Sequence, residues 1–160
     1  MVSVRILGLD PGLRCTGWGL LSCNNGDVTP QAWGHIKPPV SAPLAARLSF
    51  LFHELSHCLR QHTPEKVALE MTLVGGGKKD SLKLAFARGV CLAALGTAQC
   101  PVYEYEPTHV KKMLVGYGKA SKEQMVFMIQ QRLSIKSALT ADEADALALA
   151  LTHIYTVEYL

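Results

Sequence analysis

Three strand-like runs fall within residues 4–36, and the connections between them are too short to hold a helix. Val4-Arg-Ile-Leu-Gly-Leu-Asp10 is apolar and β-branched at its start, and Pro11-Gly12 stops it. Gly17–Cys23 and Gln31–Ile36 come next, separated by the turn signal Asn24-Asn25-Gly26-Asp27. Strands joined this closely pair as an antiparallel meander.

Beyond residue 36 the chain reads as helices alternating with strands. A long helix is expected after Pro43, with Leu44, Leu48, Leu51, Leu55 and Leu59 forming one apolar stripe, and it ends near Thr63-Pro64. Lys66–Glu70 reads as a buried strand, and a Gly75-Gly76-Gly77 loop leads from it toward a helix running from Asp80 to about Ala98. Val102–Tyr105 is a fifth strand. A short helix near Thr108–Val115 precedes one opened by Ser121 with Gln124 as a capping box, and the last helix opens at Thr140 with Glu143 three residues on and runs to about Tyr155. This order gives an α/β fold: a five-stranded mixed sheet flanked by helices on both faces, its late strands parallel.

Composition bounds the rest. With 160 residues, 49% of them hydrophobic, residues 1–160 are expected to form one domain around a sizeable core. That apolar content excludes a disordered chain, and charge or Gly interrupts every apolar run well short of a membrane span. The start, Met1-Val-Ser-Val-Arg-Ile6, lacks the long apolar stretch of a secretion signal. Five Cys without a CxxC pair suit reduced core thiols, so a cytoplasmic protein is expected. Lys66 to Lys122 carries nine Lys/Arg against four Asp/Glu, a basic middle between acidic ends. Such a distribution suits a polyanionic partner met by a few carboxylates, and equally an ordinary solvated surface.

Four carboxylates occupy positions that packing does not explain. Asp10 and Glu70 each end a buried strand, and Asp142 and Asp145, three apart, project from one side of the last helix's first turns. Asp10 also suits a turn before Pro11-Gly12, and Asp142 also suits a helix first turn. Glu70, directly after Val67-Ala68-Leu69, is harder to explain in such terms, and it is the joint occurrence of the four that carries weight. Converging carboxylates repel, and a divalent cation is the usual remedy; oxygen donors without His or Cys favour Mg²⁺ or Mn²⁺ over zinc.

Ile6-Leu-Gly-Leu-Asp-Pro-Gly12 followed by Thr16-Gly17-Trp-Gly19 resembles the opening of RuvC-type Holliday-junction resolvases, the crossover junction endodeoxyribonucleases. Ala68-Leu-Glu70, Ala87-Arg-Gly89, Val102-Tyr-Glu-Tyr105, Val110-Lys111, Val115-Gly-Tyr-Gly118, Lys122 and the ending from Ala141 to His153 recur at matching intervals, so the resemblance spans essentially the whole chain. It implies a ribonuclease-H-like fold, a homodimer, and resolution of four-way DNA junctions in recombination and repair by paired symmetric nicks. It implies that Asp10, Glu70, Asp142 and Asp145 are both the catalytic residues and the metal ligands. Two Mg²⁺ ions (Mn²⁺ substituting) are expected, about 4 Å apart, to activate water and steady the leaving oxygen, giving 5′-phosphate and 3′-hydroxyl ends. Lys111 and Lys122 match basic positions near the scissile phosphate. Lys112 and Lys119 thicken that patch, and Lys78 and Lys79 lie in the loop after Glu70 as further DNA contacts. Leu73 stands where some members carry an aromatic wedge, and an aliphatic chain can also insert between bases. A branch-migration complex, with its junction-binding protein and helicase motor, is the implied partner besides DNA; no membrane partner is expected.

Three other readings compete. His53-Glu-Leu-Ser-His57 matches the H-E-x-x-H zinc pattern, but at ~100° per residue both imidazoles point away from the leucine stripe toward solvent. A junction-binding module without cleavage is countered by the presence of all four carboxylates. An actin-like or sugar-kinase ATPase needs two such domains around its cleft. Trp18, Trp33, Met125, Met128, Cys58, Cys91 and the Ala-rich stretch 144–150 read as packing, and the apolar helix from Asp80 (Leu82, Leu84, Phe86, Val90, Leu92) suits both core and dimer contact.

Overall fold

A computed structural model describes residues 3–71 and 79–158 of the chain. The meander forms as expected from β1 (Val4–Asp10), β2 (Thr16–Asn24) and β3 (Asp27–Ile36). Asn25 and Gly26 both take positive φ (50° and 91°), which makes a two-residue turn of the hand that suits a twisted hairpin. For that reason β3 starts at Asp27 rather than Gln31. Pro30, which breaks the strand pattern in the sequence, is tolerated because β3 is an edge strand and its register with β2 shifts at Leu20/Leu21.

The remaining elements are α1 (Leu44–His62), β4 (Lys66–Glu70), α2 (Lys79–Thr97), β5 (Val102–Tyr105), α3 (Pro107–Val115), α4 (Lys122–Leu133) and α5 (Ala141–His153). Thr63 ends α1 in the left-handed region just before Pro64, and α5 passes into a π-helical turn, Ile154–Glu158, instead of continuing as α-helix to Tyr155. Strand order is β3-β2-β1-β4-β5, with β1–β2 and β2–β3 antiparallel and β1–β4 and β4–β5 parallel.

Strand alternation divides the core into two layers. Ile6 and Ala68 pack with α3, α4 and α5, while Leu7, Leu9, Val67 and Leu69 pack with α1 and α2. Leu51, Leu55 and Leu59 of the predicted stripe are buried, but Leu44 at the first turn of α1 is exposed. The α2 helix buries Ala87, Cys91, Ala94 and Leu95, leaving Leu82, Phe86 and Leu92 exposed on its outer side. So α2 divides its apolar residues between core and surface.

Helix α5 lies directly on β1 and β2. A Cβ on Gly8 would stand 1.7 Å from the carbonyl oxygen of Ala146, and one on Gly19 would stand 2.6 Å from the Leu147 side chain. Only hydrogen at these positions lets a helix backbone rest on the sheet, and this seats the N-terminus of α5 against the ends of β1 and β4.

Candidate active site

Parallel pairing of β1 with β4 aligns Leu9 with Leu69, so the next residues, Asp10 and Glu70, leave the sheet side by side. Asp10 shares parity with Gly8, and Glu70 with Ala68, so both carboxylates face the α5 layer. The α5 N-terminus supplies Asp142 and Asp145 to the same place. Thr140 caps the helix reciprocally with Glu143, and the Glu143 Oε1 lies 3.1 Å from His35 Nδ1 at the end of β3. Burial alone would raise the Glu143 carboxyl, but the Thr140 backbone donor, His35 and the Thr140 hydroxyl outweigh it and hold it below the usual range.

The four carboxylates form one electrostatic group. Burial, then the charge of and a shared hydrogen bond with Glu70, then the charges of Asp145 and Asp142, push the Asp10 carboxyl up to about 9. The Asp145 carboxyl rises to about 6 through burial and the neighbouring Glu70 and Asp142 charges, against the opposing pull of Lys122 and Lys111. Burial and a hydrogen bond to Asp142 push the Cys15 thiol up to about 12, so it stands there as a neutral donor. Among the described residues no three His, Cys, Asp or Glu side chains close tightly enough to grip an ion as they stand.

Lys111 and Lys122 join Glu70 and Asp145 in lining a small pocket of about 90 Å³. Lys112 and Lys119 are exposed and outside that lining. Lys79 opens α2, while Lys78 and Leu73 lie outside the described residues. His53 and His57 are both exposed, and the His53 Nδ1 lies 2.7 Å from the Ser49 carbonyl oxygen within its own helix.

Several side chains that hold the site carry no signal of that role in the sequence pattern. Arg88 donates to the backbone carbonyl of Glu70 and pairs with Glu104, fixing the ends of β4 and β5 together. Arg47 donates to the Leu13 carbonyl at 3.0 Å, and Thr16 Oγ1 donates to the Gly12 carbonyl at 2.8 Å, closing the loop after Asp10. For Arg88 the one pointer is its place within Ala87-Arg-Gly89, a segment that carries the family resemblance.

The family model for crossover junction endodeoxyribonuclease RuvC matches residues 6–153. The chain belongs to the RuvC family. A RuvC of Azorhizobium caulinodans is 45% identical over 152 residues, covering 95% of this chain and 90% of that protein. The Thermus thermophilus RuvC structure superposes with a TM-score of 0.85 at 29% identity, covering 98% of this chain and 96% of that one. The same protein in complex with Holliday junction substrate gives a TM-score of 0.87 at 29% identity, covering 98% and 96%. The RuvC fold is ribonuclease-H-like, as expected, and the chain is a nuclease of the crossover junction endodeoxyribonuclease family. Among the described residues no helix is long and apolar enough to cross a membrane.

Proposed function

We propose that this chain, acting as a homodimer, resolves four-way DNA junctions by paired symmetric nicks that leave 5′-phosphate and 3′-hydroxyl ends. The observation that carries the reading is the meeting of Asp10 and Glu70, from adjacent parallel strands, with Asp142 and Asp145 at the α5 N-terminus. An all-oxygen donor set in which neighbouring charges raise the proton affinity of Asp10 and Asp145 fits Mg²⁺ or Mn²⁺, and four carboxylates offer oxygens enough for two ions. When bound, such cations supply Lewis-acid stabilisation of the phosphoryl group and a nucleophilic water at neutral pH.

The chain's own residues do the rest. Asp10, Glu70, Asp142 and Asp145 hold the cations. Lys111 and Lys122 bind the scissile phosphate beside Asp145 and offset the negative charge there. Arg88 orients Glu70 through its backbone, and the Glu143–His35 pair fixes the first turn of α5. Lys112, Lys119, Lys78 and Lys79 add sequence-independent affinity, and Leu73 serves as an aliphatic wedge at the crossover. The dimer forms through the outer side of α2, where Leu82, Phe86 and Leu92 are exposed and added Cβ atoms on Gly89 and Gly96 would meet nothing within 4 Å. Residues 1–160 act as one nuclease domain in the cytoplasm, with a junction-binding protein and helicase motor as partners.

A labelled synthetic junction and a matching linear duplex, each with Mg²⁺ and with chelator, test the reading. Ligatable nicks at symmetric positions, in the junction alone and only with Mg²⁺, are expected. Tight junction binding without nicks in Mg²⁺ or Mn²⁺ would reduce the chain to a binding module.

A further inference from the structure

At the end of the sheet away from the carboxylates, a cavity of about 520 Å³ opens between α1 and α2. It is lined by Pro64 and Cys100, just before β4 and β5 begin, so the length of β4, about 13 Å, separates it from Glu70. Its volume falls in the range that encloses small organic ligands. The space has a cause in the sequence. Where α1 presents Phe52, Leu59 and Arg60, the facing end of α2 presents only Ala94 and Thr97, with Ala98 just beyond, and these are too small to fill the gap. Past the helix ends, Thr63 and Gln99 take positive φ (41° and 54°) and turn the chain into the strands.

The lining divides into an apolar wall and a cationic rim. Leu59, Pro64 and Ala94 are buried and Phe52 is half-buried, whereas Arg60 and His53 are exposed. Among the described residues no carboxylate lines the cavity, and Arg60 has no ion-pair partner. His53, the first residue of the His53-Glu-Leu-Ser-His57 pattern, donates through Nδ1 to the Ser49 carbonyl at 2.7 Å, which leaves Nε2 as its open polar atom. The helix ends offer few acceptors, because the Leu59, Ala94 and Leu95 carbonyls already accept from the Thr63, Ala98 and Cys100 backbone N–H groups at 2.9–3.1 Å. The Arg60 guanidinium is thus the dominant polar feature. One unpaired cation matches a ligand with one negative charge, and its planar fork matches a carboxylate.

We propose that the α1–α2 cavity is a ligand site for an apolar monocarboxylate, either a free aromatic acid or the C-terminal residue of a partner chain, with Phe52, Leu59 and Ala94 around the apolar body and Arg60 on the carboxylate. The site stands apart from the junction-cleavage reading. Its distance from the carboxylates at the other end of β4 leaves both sites open at once.

The test titrates the purified chain, free of DNA, with N-acetylphenylalanine, with its uncharged amide, and with an uncharged glycine/serine hexapeptide that ends in phenylalanine. Calorimetry and thermal melting read the binding. The acid is expected to bind at millimolar concentration or below, and the amide at least about tenfold more weakly. Arg60→Met should weaken the acid by about tenfold or more and bring it level with the amide. Ala98→Phe, which places a ring in the cavity, should abolish binding of both, and Ala94→Leu repeats the block if that variant fails to fold. Lys136→Met, beyond α4 on the other face of the sheet, should bind as wild type does. Binding of the free acid without the peptide marks a small molecule as the occupant, and binding of the peptide as well marks a chain terminus; either result upholds the site. Acid and amide bound alike, acid binding that survives Arg60→Met, or no heat and no Tm shift with any probe in folded wild type would overturn the proposal, whether or not the chain cuts junctions.

Discussion

A Cβ placed on Gly17 would stand 2.1 Å from the backbone carbonyl oxygen of Asp142 and 3.2 Å from its Cβ. Glycine in the first residues of β2 is therefore what lets the first turn of α5 settle beside Asp10, to which Gly17 is directly paired. Gly17→Ala must push that turn outward. The expected cost is about 1–3 kcal/mol of stability, as for other overpacked sites. Because misplacement of a reacting group by about 1 Å can cost roughly a hundredfold in rate, junction cleavage should fall by at least about tenfold. Melting and single-turnover nicking of the same preparation measure both effects, and wild-type nicking in a destabilised protein would detach Asp142 from the chemistry.

Asp10 makes the cation-free protein sensitive to alkali. Its carboxyl is pushed up to about 9 by burial and by Glu70, whereas in the unfolded chain it ionises in the ordinary carboxylate range. The native state thus retains a proton that the unfolded state has lost, and this contribution to stability is full in acid and fades as pH rises toward about 9. Asp145 adds the same trend up to about 6. In chelator, Asp10→Asn should raise Tm at pH 8 by about 3 °C or more and flatten the decline of Tm with pH. Mg²⁺ should stabilise wild type strongly and Asp10→Asn weakly. The variant should still bind junctions but make no nicks.

Much of this arrangement was legible in the sequence because local chemistry and fold agree there. The Pro11-Gly12 stop placed Asp10 at a strand end, and the Ser121/Gln124 and Thr140/Glu143 boxes fixed two helix starts that the structure reproduces. Strand β3 reads short in the sequence because Pro30 is a strand breaker everywhere except an edge or bulge, and edge position is a property of the assembled sheet. The cations beside Asp142 escape for a related reason: Arg14, Lys37 and Lys83 line one groove with it, but they come from separate segments with no shared spacing, and only packing brings them together. Gly8, Gly17 and Gly19 lie within the opening motif, but the helix they admit is more than 120 residues away in the chain.

Glu143 is expected to act through position alone. Its carboxylate accepts from the Thr140 backbone at 2.9 Å and lies 3.1 Å from His35 Nδ1, and these contacts outweigh burial to hold its carboxyl low. A carboxyl depressed on folding stabilises above the ordinary carboxylate range, and the contribution is lost as pH falls through its folded value. Glu143→Gln should therefore cost about 1 kcal/mol at pH 7, the usual worth of a cap, and far less at pH 3. His35→Ala should reproduce part of that loss. Both variants should lower kcat more than junction affinity, and a loss confined to affinity would place His35 and Glu143 on the DNA instead.

Lys122 and Lys111 should set the acid limb of the cleavage profile. Both oppose the burial and the neighbouring charges that lift the Asp145 carboxyl to about 6. Removing either cation leaves Asp145 harder to ionise, so a reaction that needs its carboxylate must start at higher pH. Lys122→Met is expected to lower kcat by on the order of 10²-fold at neutral pH, the usual loss for one electrostatic stabiliser of a transition state. It should also move the acid limb alkaline, making the deficit larger at pH 6 than at pH 8. Lys111→Met should shift the limb in the same direction, and the double variant should shift it further. Lys112→Met and Lys119→Met, whose side chains lie outside the pocket lining, should change the salt dependence of binding and leave the limb in place. A pH–rate profile of each variant at Mg²⁺ well below saturation, where Asp145 must ionise before a cation binds, separates the two classes, and a limb unmoved in Lys111→Met/Lys122→Met would show that Asp145 is ionised without help from either lysine.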